Sequence, residues 1–293
     1  MMSTHSLPSY LAKAQANATA IAHFNVSDLV MLKAVFSAAQ ELQLPVIVGA
    51  SGGEREFMGV RQLAAWVQSL RSDFDFPIFL NSDHTHSLEE AVVAAKAGFD
   101  SVVFDLSALP FEENIQQTHE AVEILKGIHP GIVIEGEIGD IGTGSEIHEG
   151  PAGAPKPMTT PAEAKQYIEA TGVDMLAPAV GNSHGLSKSM VEGTTKKRLD
   201  LVRIAEIRDA AQVPLTLHGG SGTDDADMRA AIAAGIRIVH INTELRVAWR
   251  RGLENGLSTQ PTQVVPYKIL PFAVESVKEV ARARLQLIGL HHE

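Results

Sequence analysis

Hydrophobic residues in this chain fall into short runs rich in Val, Ile and Leu, separated by longer segments with the spacing of amphipathic helices. Eight such runs predict strands near residues 21–24, 46–50, 78–80, 101–105, 132–135, 175–179, 215–217 and 236–241. Strands that alternate with helices are typical of a parallel α/β architecture. Eight of them at this spacing predict a (β/α)8 TIM barrel, with a doubly wound sheet as the alternative.

The chain length and the glycine pattern suit one barrel domain over residues 1–293. The segments AGFDSVVFD, TGVDMLAPA and AGIRIVHIN each place a glycine between a predicted helix and a buried strand, where it would end the helix. Residues 139–160 are rich in Gly and Pro and predict a long loop. We also expect a C-terminal helical extension from about residue 267.

Histidines follow three of the predicted strands. The runs IFLNSDH, DMLAPAVGNSH and VPLTLH end in His84, His184 and His218. Because the carboxyl ends of barrel strands meet at one rim, we expect these three imidazoles to converge. Three protein ligands with an open fourth position are typical of catalytic zinc, and a chain without cysteine offers only N and O ligands. Cobalt, iron and manganese also suit such ligands.

Further polar groups at the same rim indicate a site for an anionic substrate. Besides the histidines, the predicted strand ends supply Asp83, Glu135, Glu137, His240, Asn242 and Thr243. The motifs GNSHG at 181–185 and HGGSG at 218–222 would expose backbone amides beside the histidines, which favours a bound phosphate. The alternative is a pair of tight turns that simply require glycine.

The composition argues against two kinds of partner. A formal net charge of −11 would repel a nucleic-acid backbone. No stretch of about 18 apolar residues predicts a membrane span, and the first residues lack the apolar core of a signal peptide. We therefore expect a cytoplasmic protein that binds neither nucleic acid nor membrane.

Five segments, in their order and spacing, carry a family resemblance. The motifs NSDHTH, IEGEIGDIGTG, GNSHG, LHGGSG and HINTELR resemble the class II, zinc-dependent fructose- and tagatose-bisphosphate aldolases, and so do HFNV at 23–26 and PVIVGAS at 45–51. The resemblance covers nearly the whole chain. It implies a homodimeric or homotetrameric barrel lyase that cleaves a phosphorylated ketose, or forms it, through a metal-stabilised enediolate. The donor would be dihydroxyacetone phosphate or a close analogue, and family members also hold a monovalent cation near its phosphate.

The resemblance also implies roles for individual residues. His84, His184 and His218 would bind zinc, and Glu137 would be an alternative ligand. Asp83 would handle the proton of the aldehyde-derived hydroxyl; its alternative role is to orient a ligand imidazole. Positions around the donor phosphate and the rest of the substrate are matched by Asn25, Ser51, Gly185, Lys188, Gly219, Ser221, Asn242 and Thr243.

Some positions depart from the family pattern. Asn81 stands where a histidine is usual, His240 where an asparagine helps to hold the donor, and Ile238 where a lysine is common. His240 therefore suggests a donor other than simple dihydroxyacetone phosphate, or a different protonation requirement.

The loop after Glu137 departs as well. Aligning its glycines puts Ser145 where the family has its mobile catalytic carboxylate, so Glu146, one residue later, is the candidate for proton transfer. Glu149 is the fallback, and a solvated loop charge is the alternative to both.

The sequence argues against one other aldolase mechanism and leaves two other functions open. An aldolase that uses a Schiff base needs a lysine, but Lys188, Lys196 and Lys197 are predicted in loops and no predicted strand ends in one. A metal-dependent barrel hydrolase could use the three histidines and Asp83 to activate water. A non-catalytic sugar-phosphate-binding protein could have kept the barrel without its chemistry.

Overall fold

Eight parallel strands close into a barrel in the structure, a computed structural model that describes residues 5–142, 144–148 and 157–289. With two short strands outside the barrel, the ten strands described are β1 Ile21–Asn25, β2 Val46–Ala50, β3 Ile78–Thr85, β4 Ser101–Phe104, β5 Val133–Ile138, β6 Ile147–His148, β7 Met175–Pro178, β8 Leu186–Ser187, β9 Leu215–Leu217 and β10 Ile236–Ile241. The barrel order is β1, β10, β9, β7, β5, β4, β3, β2, and the short β6 and β8 pair with each other outside it. This closure confirms the predicted (β/α)8 barrel and is incompatible with a doubly wound sheet.

Helices alternate with the strands and surround the barrel. They are α1 Leu7–Ala16, α2 Leu29–Leu42, α3 Gly52–Met58, α4 Val60–Phe74, α5 Leu88–Ala97, α6 Phe111–Ile128, α7 Pro161–Thr171, α8 Lys188–Val191, α9 Leu201–Ala211, α10 Asp225–Ala234, α11 Thr243–Thr259, α12 Pro266–Ile269 and α13 Pro271–Gly289. Glycines end α5 and α7 as the sequence predicted, since Gly98 and Gly172 adopt left-handed φ values of 90° and 71°.

The barrel strands match the predicted apolar runs because parallel strands are buried on both faces and therefore read as continuous hydrophobic segments. The two clear differences between the predicted and the observed strands are at the carboxyl ends of β3 and β5. β3 continues to Thr85 and β5 to Ile138, whereas the apolar runs stop earlier. Most of the additional residues are polar or charged, and among them Asn81, Asp83 and Glu137 are buried at the rim that carries the site.

Helix α1 covers the opposite end of the barrel. Its residues Leu7 and Leu11 pack in a small cluster with inward-facing residues from the strands, namely Ile21, Ile47, Phe79, Val133, Met175 and Ile238. Ile238, which replaces a common lysine, thus belongs to this apolar closure rather than to the rim of the histidines.

The C-terminal helix α13 packs against α2 and α11 and buries Ala273, Val277, Ala281 and Leu285. Of the predicted loop 139–160, residues 143 and 149–156 lie outside the described part of the chain. Among the described residues, no helix has both the length and the apolar character needed to cross a membrane.

Candidate active site

Three imidazoles meet at the carboxyl end of the barrel. His84 lies in β3, His184 in the loop after β7, and His218 directly after β9. The ring centroid of His84 is 4.8 Å from those of both His184 and His218, which are 6.0 Å from each other. One nitrogen of each ring lies within 4.8 Å of the others. The structure therefore brings together the three histidines that the strand ends predicted.

The polar atoms of this cluster fit a divalent metal ion. Nε2 of His184 and Oε2 of Glu137 are buried without a hydrogen-bond partner among the residues described. The same Oε2 lies 3.5 Å from Nδ1 of His84 and 3.6 Å from Nδ1 of His218. Imidazole nitrogens and a carboxylate oxygen are the N and O ligands that zinc accepts, so the donor set matches the expectation.

A bulge in β3 directs Asp83 and His84 into the site. The pairing of β3 with β4 shifts register between Ser82 and Thr85, and His84 has a φ of 43°. A left-handed conformation costs a residue other than glycine roughly 1–3 kcal/mol. The buried Arg55 stabilises this backbone by donating from Nη1 to the carbonyl of Asp83 at 2.7 Å. Bulges next to active sites commonly redirect a side chain in this way.

Two carboxylates orient two of the imidazoles. Oδ2 of Asp105 lies 2.8 Å from Nδ1 of His84, and Oε1 of Glu135 lies 2.7 Å from Nε2 of His218. The hydroxyl of Thr216 donates to the other Glu135 oxygen at 2.6 Å. These contacts leave Nε2 of His84 and Nδ1 of His218 facing each other at 3.3 Å. In zinc centres, a carboxylate typically accepts a hydrogen bond from the ring nitrogen that does not bind the metal, and so orients the imidazole.

The three histidines differ in the direction in which their surroundings shift their pKa values. Burial lowers the pKa of His184 and of His218 to about 3, and the neighbouring His84 adds to the effect. Burial also acts on His84, but the carboxylates of Asp83, Glu137 and Asp105 overcome it and raise the pKa of His84 to about 10. At neutral pH the metal-free site therefore holds two neutral imidazoles, ready to bind metal, and one imidazolium.

Asp83 is buried beside the metal-binding cluster as a carboxylate. Oδ2 of Asp83 accepts a hydrogen bond from Nδ2 of Asn25 at 2.8 Å, and Oδ1 lies 3.2 Å from Nδ1 of His240. Burial opposes its ionisation, but His84 and His240 hold its pKa well below the usual range. A desolvated, ionised carboxylate at this position is suited to accept a proton from a substrate hydroxyl.

His240 is enclosed in a stack of imidazole rings. Its ring is parallel to that of His23 at a centroid distance of 3.5 Å and lies 4.1 Å from that of His218 on the other side. Nε2 of His23 is within 3.1 Å of the Asn81 side-chain oxygen. Two of the positions that depart from the family pattern, Asn81 and His240, thus belong to one buried network.

Most of the other candidate residues line two adjoining spaces. The inner cavity is lined by Asn25, Asp83, Ser145, His184, Gly185, Gly219, Ser221, His240, Asn242 and Thr243. The outer cleft adjoins it through Asp83, Ser145, His184 and Asn242, and its walls include Ser51, His84, Glu137, Glu146 and Arg246. Lys188 lines neither space, since it is exposed at the start of α8.

A hydrogen bond from Arg246 holds the loop that carries Ser145 and Glu146 beside the outer cleft. Ser145 is half-buried and Glu146 is exposed. The carbonyl of Ser145 accepts from Nη1 of Arg246 at 3.0 Å, and Nη2 of the same arginine pairs with Glu54 at 2.8 Å. The structure therefore places Glu146 beside the site, while the fallback Glu149 lies outside the described residues.

Lys197 is the least expected member of this region. It precedes α9, outside regular structure as predicted, but it is only 5% exposed. Its Nζ donates to the carbonyls of Ser183 at 2.6 Å and of Gly219 at 3.1 Å. Burial lowers its pKa to about 8 despite the opposing attraction of Glu244. A lysine between charged and polar neighbours in sequence gives no sign of such burial.

A parallel eight-stranded barrel with three converging imidazoles and a buried carboxylate at its carboxyl rim defines a metal-dependent TIM-barrel enzyme. The family model described as fructose-bisphosphate aldolase class-II matches residues 5–293. The chain belongs to the class II fructose-bisphosphate aldolase family.

Individual relatives agree over almost the full length of the chain. The probable fructose-bisphosphate aldolase of Bacillus subtilis (strain 168) is 33% identical over 289 residues, covering 97% of both chains. The fructose-bisphosphate aldolase of Geobacillus stearothermophilus is 31% identical over 291 residues and 98% of both chains. The crystal structure of the YdjI aldolase from Escherichia coli K12 matches with a TM-score of 0.79 at 30% identity, again over 97% of both chains.

The family decides between the mechanisms that the sequence left open. The protein is a lyase that performs metal-dependent aldol cleavage or the reverse condensation, rather than a hydrolase or a non-catalytic binding protein. The resemblance drawn from the motifs is confirmed, and an identity of about one third fits a divergent member of the family.

Proposed function

We propose that this aldolase cleaves a phosphorylated ketose reversibly into dihydroxyacetone phosphate, or a close analogue, and an aldehyde. The observation that carries the proposal is the inner cavity, in which glycine-rich loops adjoin the imidazole cluster. The walls formed by Gly185, Gly219 and Ser221 meet the start of α11 at Asn242 and Thr243. The first backbone amides of a helix of 17 residues attract an anion, which supports a donor phosphate at this position.

We assign the metal site to His84, His184 and His218, with Glu137 as an alternative ligand and zinc as the native ion. When bound, a divalent ion would supply Lewis-acid stabilisation of the negative charge that cleavage leaves on the donor half. The geometry of the imidazoles and their orienting carboxylates supports this assignment.

In the cleavage direction, the ionised carboxylate of Asp83 accepts the proton of the hydroxyl that becomes the aldehyde. The carbon–carbon bond then breaks, and its electron pair stays with the donor half. Asn25 keeps the Asp83 carboxylate in place through the 2.8 Å hydrogen bond to Oδ2. A protonated Glu146 then gives its proton to the donor carbon, where the electron pair of the broken bond forms the new carbon–hydrogen bond and completes the ketone. Ser51 contacts the rest of the substrate in the outer cleft.

The donor half-reaction tests this proposal without knowledge of the aldehyde. Dihydroxyacetone phosphate is incubated with the protein in heavy water, and loss of its C3 protons is followed by NMR. We expect stereospecific exchange of one proton, abolished by a chelator and restored by zinc. Unphosphorylated dihydroxyacetone should exchange far more slowly, because the inner cavity then holds no anion.

A matched pair of variants gives the control. His218→Ala should abolish exchange while the protein stays folded, and His119→Ala, which removes an exposed imidazole on α6, should leave exchange intact. If a folded, zinc-loaded protein does not exchange dihydroxyacetone phosphate, the donor assignment is wrong. Equal exchange of the unphosphorylated ketone would contradict the phosphate site.

The cytoplasmic location and the homodimeric or homotetrameric assembly expected from the sequence stay predictions. Sedimentation of the purified protein would test the assembly.

A further inference from the structure

Lys197 is fixed by its backbone beside the loop of the proposed phosphate site. Its amide donates to the carbonyl of Gly222 at 2.9 Å, and its own carbonyl accepts from Asp224 at 3.2 Å. Lys197 and Thr223 form a parallel bridge at this point. The side chain therefore extends from a fixed position into the space between the two glycine-rich loops.

The ammonium group of Lys197 binds both of these loops. The carbonyl of Ser183 at 2.6 Å immediately precedes His184, and the carbonyl of Gly219 at 3.1 Å immediately follows His218. The loops touch at the same place, since a Cβ on Gly219 would lie 2.2 Å from the Ser183 oxygen. One buried cation thus joins the two segments that deliver two of the three imidazoles.

Backbone carbonyls that converge on one point are the ligands that an alkali cation takes in exchange for its hydration shell. The resemblance implies a monovalent cation near the donor phosphate. In this chain, the two carbonyls that converge beside the phosphate loops are already occupied by a cation of the protein itself. The surroundings of Lys197 therefore do not fit a separate alkali ion.

The charge of Lys197 is also available to an anion. Among the described residues it forms no ion pair. The nearby carboxylate of Glu244 is instead engaged by Nε of Arg284 at 2.7 Å and by the amide of Gly222 at 2.7 Å. A buried, unpaired positive charge beside the cavity that includes Gly185 and Gly219 favours a negatively charged group there.

We propose that the Lys197 ammonium is a built-in replacement for a monovalent cation, which fixes the two loops and strengthens phosphate binding, so that the enzyme requires no alkali ion. This inference rests on the proposed phosphate site. Lys197 acts through the loops and through its charge, and it is a positioning residue rather than a catalytic one.

Chemical rescue tests this proposal. The donor exchange rate is measured for the zinc-loaded protein, for Lys197→Ala and for Lys196→Ala, in chloride salts of choline, potassium or ammonium at equal ionic strength. Lys196 is the adjacent, exposed lysine and serves as the matched control. The unmodified protein and Lys196→Ala should have equal rates in all three salts. Lys197→Ala should lose about tenfold or more in choline and recover in ammonium or potassium, which are small enough to occupy the vacated space.

A binding measurement separates failure of this inference from failure of the proposed function. Inorganic phosphate is titrated by calorimetry into the zinc-loaded protein, into Lys197→Ala, and into Lys197→Gln, which removes the charge but still fills most of the space. We expect the dissociation constant of both variants to rise about tenfold in choline, and to fall again in ammonium only for Lys197→Ala, where the side chain has left space for the ion. Zinc content and thermal unfolding of each variant show that it is folded and loaded.

Three results would overturn the proposal. The first is an unmodified protein whose phosphate affinity or exchange rate depends on potassium. The second is a folded Lys197→Ala that is as active in choline as the unmodified protein. The third is a loss of phosphate affinity in Lys197→Ala that no small cation restores. If phosphate binding behaves as expected but no donor exchanges, the built-in cation stands and the donor assignment fails.

Discussion

The Asp105 carboxylate lies 2.8 Å from Nδ1 of His84 and thereby directs Nε2 of that ring towards His218. Asp105 also accepts from the hydroxyl of Ser107 at 2.7 Å, which holds the carboxylate in one orientation. The metal site is therefore built in two layers, with each outer carboxylate setting the position of an inner imidazole.

Replacing Asp105 with Asn should weaken zinc binding by about 10- to 100-fold without abolishing it, because the imidazoles stay but His84 loses its anionic partner. Competition with a chromogenic chelator measures this affinity. Asp209→Asn, which changes an exposed aspartate outside the site, is the control and should bind zinc normally. Unchanged affinity in Asp105→Asn would mean that the His84 orientation has another cause.

Zinc affinity should rise with pH by at least about tenfold per unit between about pH 6 and 8, which corresponds to release of one proton or more. The pKa of His84 is raised to about 10 in the metal-free site, so its proton must leave when metal binds. His184 and His218, with pKa values of about 3, have no proton to release in this range.

Calorimetry of zinc binding in buffers of different ionisation enthalpy directly counts the protons that the site releases. Three ordinary histidines would instead give a slope that becomes flat above about pH 7, since their unperturbed pKa is about 6.5. Such a flat profile would contradict the electrostatic description of His84.

His240→Asn should slow carbon–carbon cleavage more than donor proton exchange. The change removes an imidazole whose Nδ1 is 3.2 Å from the Asp83 carboxylate and whose ring packs against His218. Asp83 is assigned to the aldehyde-derived hydroxyl, which takes no part in the donor half-reaction. Parallel losses in both rates, together with a raised KM for the donor, would show that His240 binds the donor instead.

Arg246→Met should reduce donor exchange about tenfold and leave the zinc content unchanged. The substitution removes the hydrogen bond to the Ser145 carbonyl, so the loop that carries Glu146 is held less firmly, and misplacing a catalytic group by even 1 Å is costly. Arg250→Met alters an exposed arginine on the same helix and is the matched control. Equal exchange rates in the two variants would show that the hydrogen bond from Arg246 to this loop does not contribute to the exchange reaction.

The sequence predicted the barrel and its histidines because both depend on local patterns. Buried parallel strands produce apolar runs, and a residue at the end of such a run must lie at the rim. The position of Ile238 in the apolar closure near α1 follows from the same register.

The remaining parts of the site depend on contacts between distant segments. The partner of His84 is Asp105, 21 residues away, and that of His218 is Glu135, 83 residues away. From the sequence, a carboxylate at the end of a strand can be placed at the rim of the barrel. The sequence does not show which imidazole that carboxylate contacts. Burial of Lys197 similarly requires the loops after two separate strands to approach each other, which no short-range pattern in the sequence encodes.

X-ray absorption at the zinc edge tests the central claim most directly, namely that His84, His184 and His218 together hold the catalytic metal. For the zinc-loaded protein we predict scattering from three imidazole rings with Zn–N distances of about 2.0–2.1 Å. Single alanine variants at these positions should each lose imidazole scattering or the metal itself. A spectrum without imidazole scattering, or full retention of the same spectrum when the three histidines are replaced together, would contradict the account.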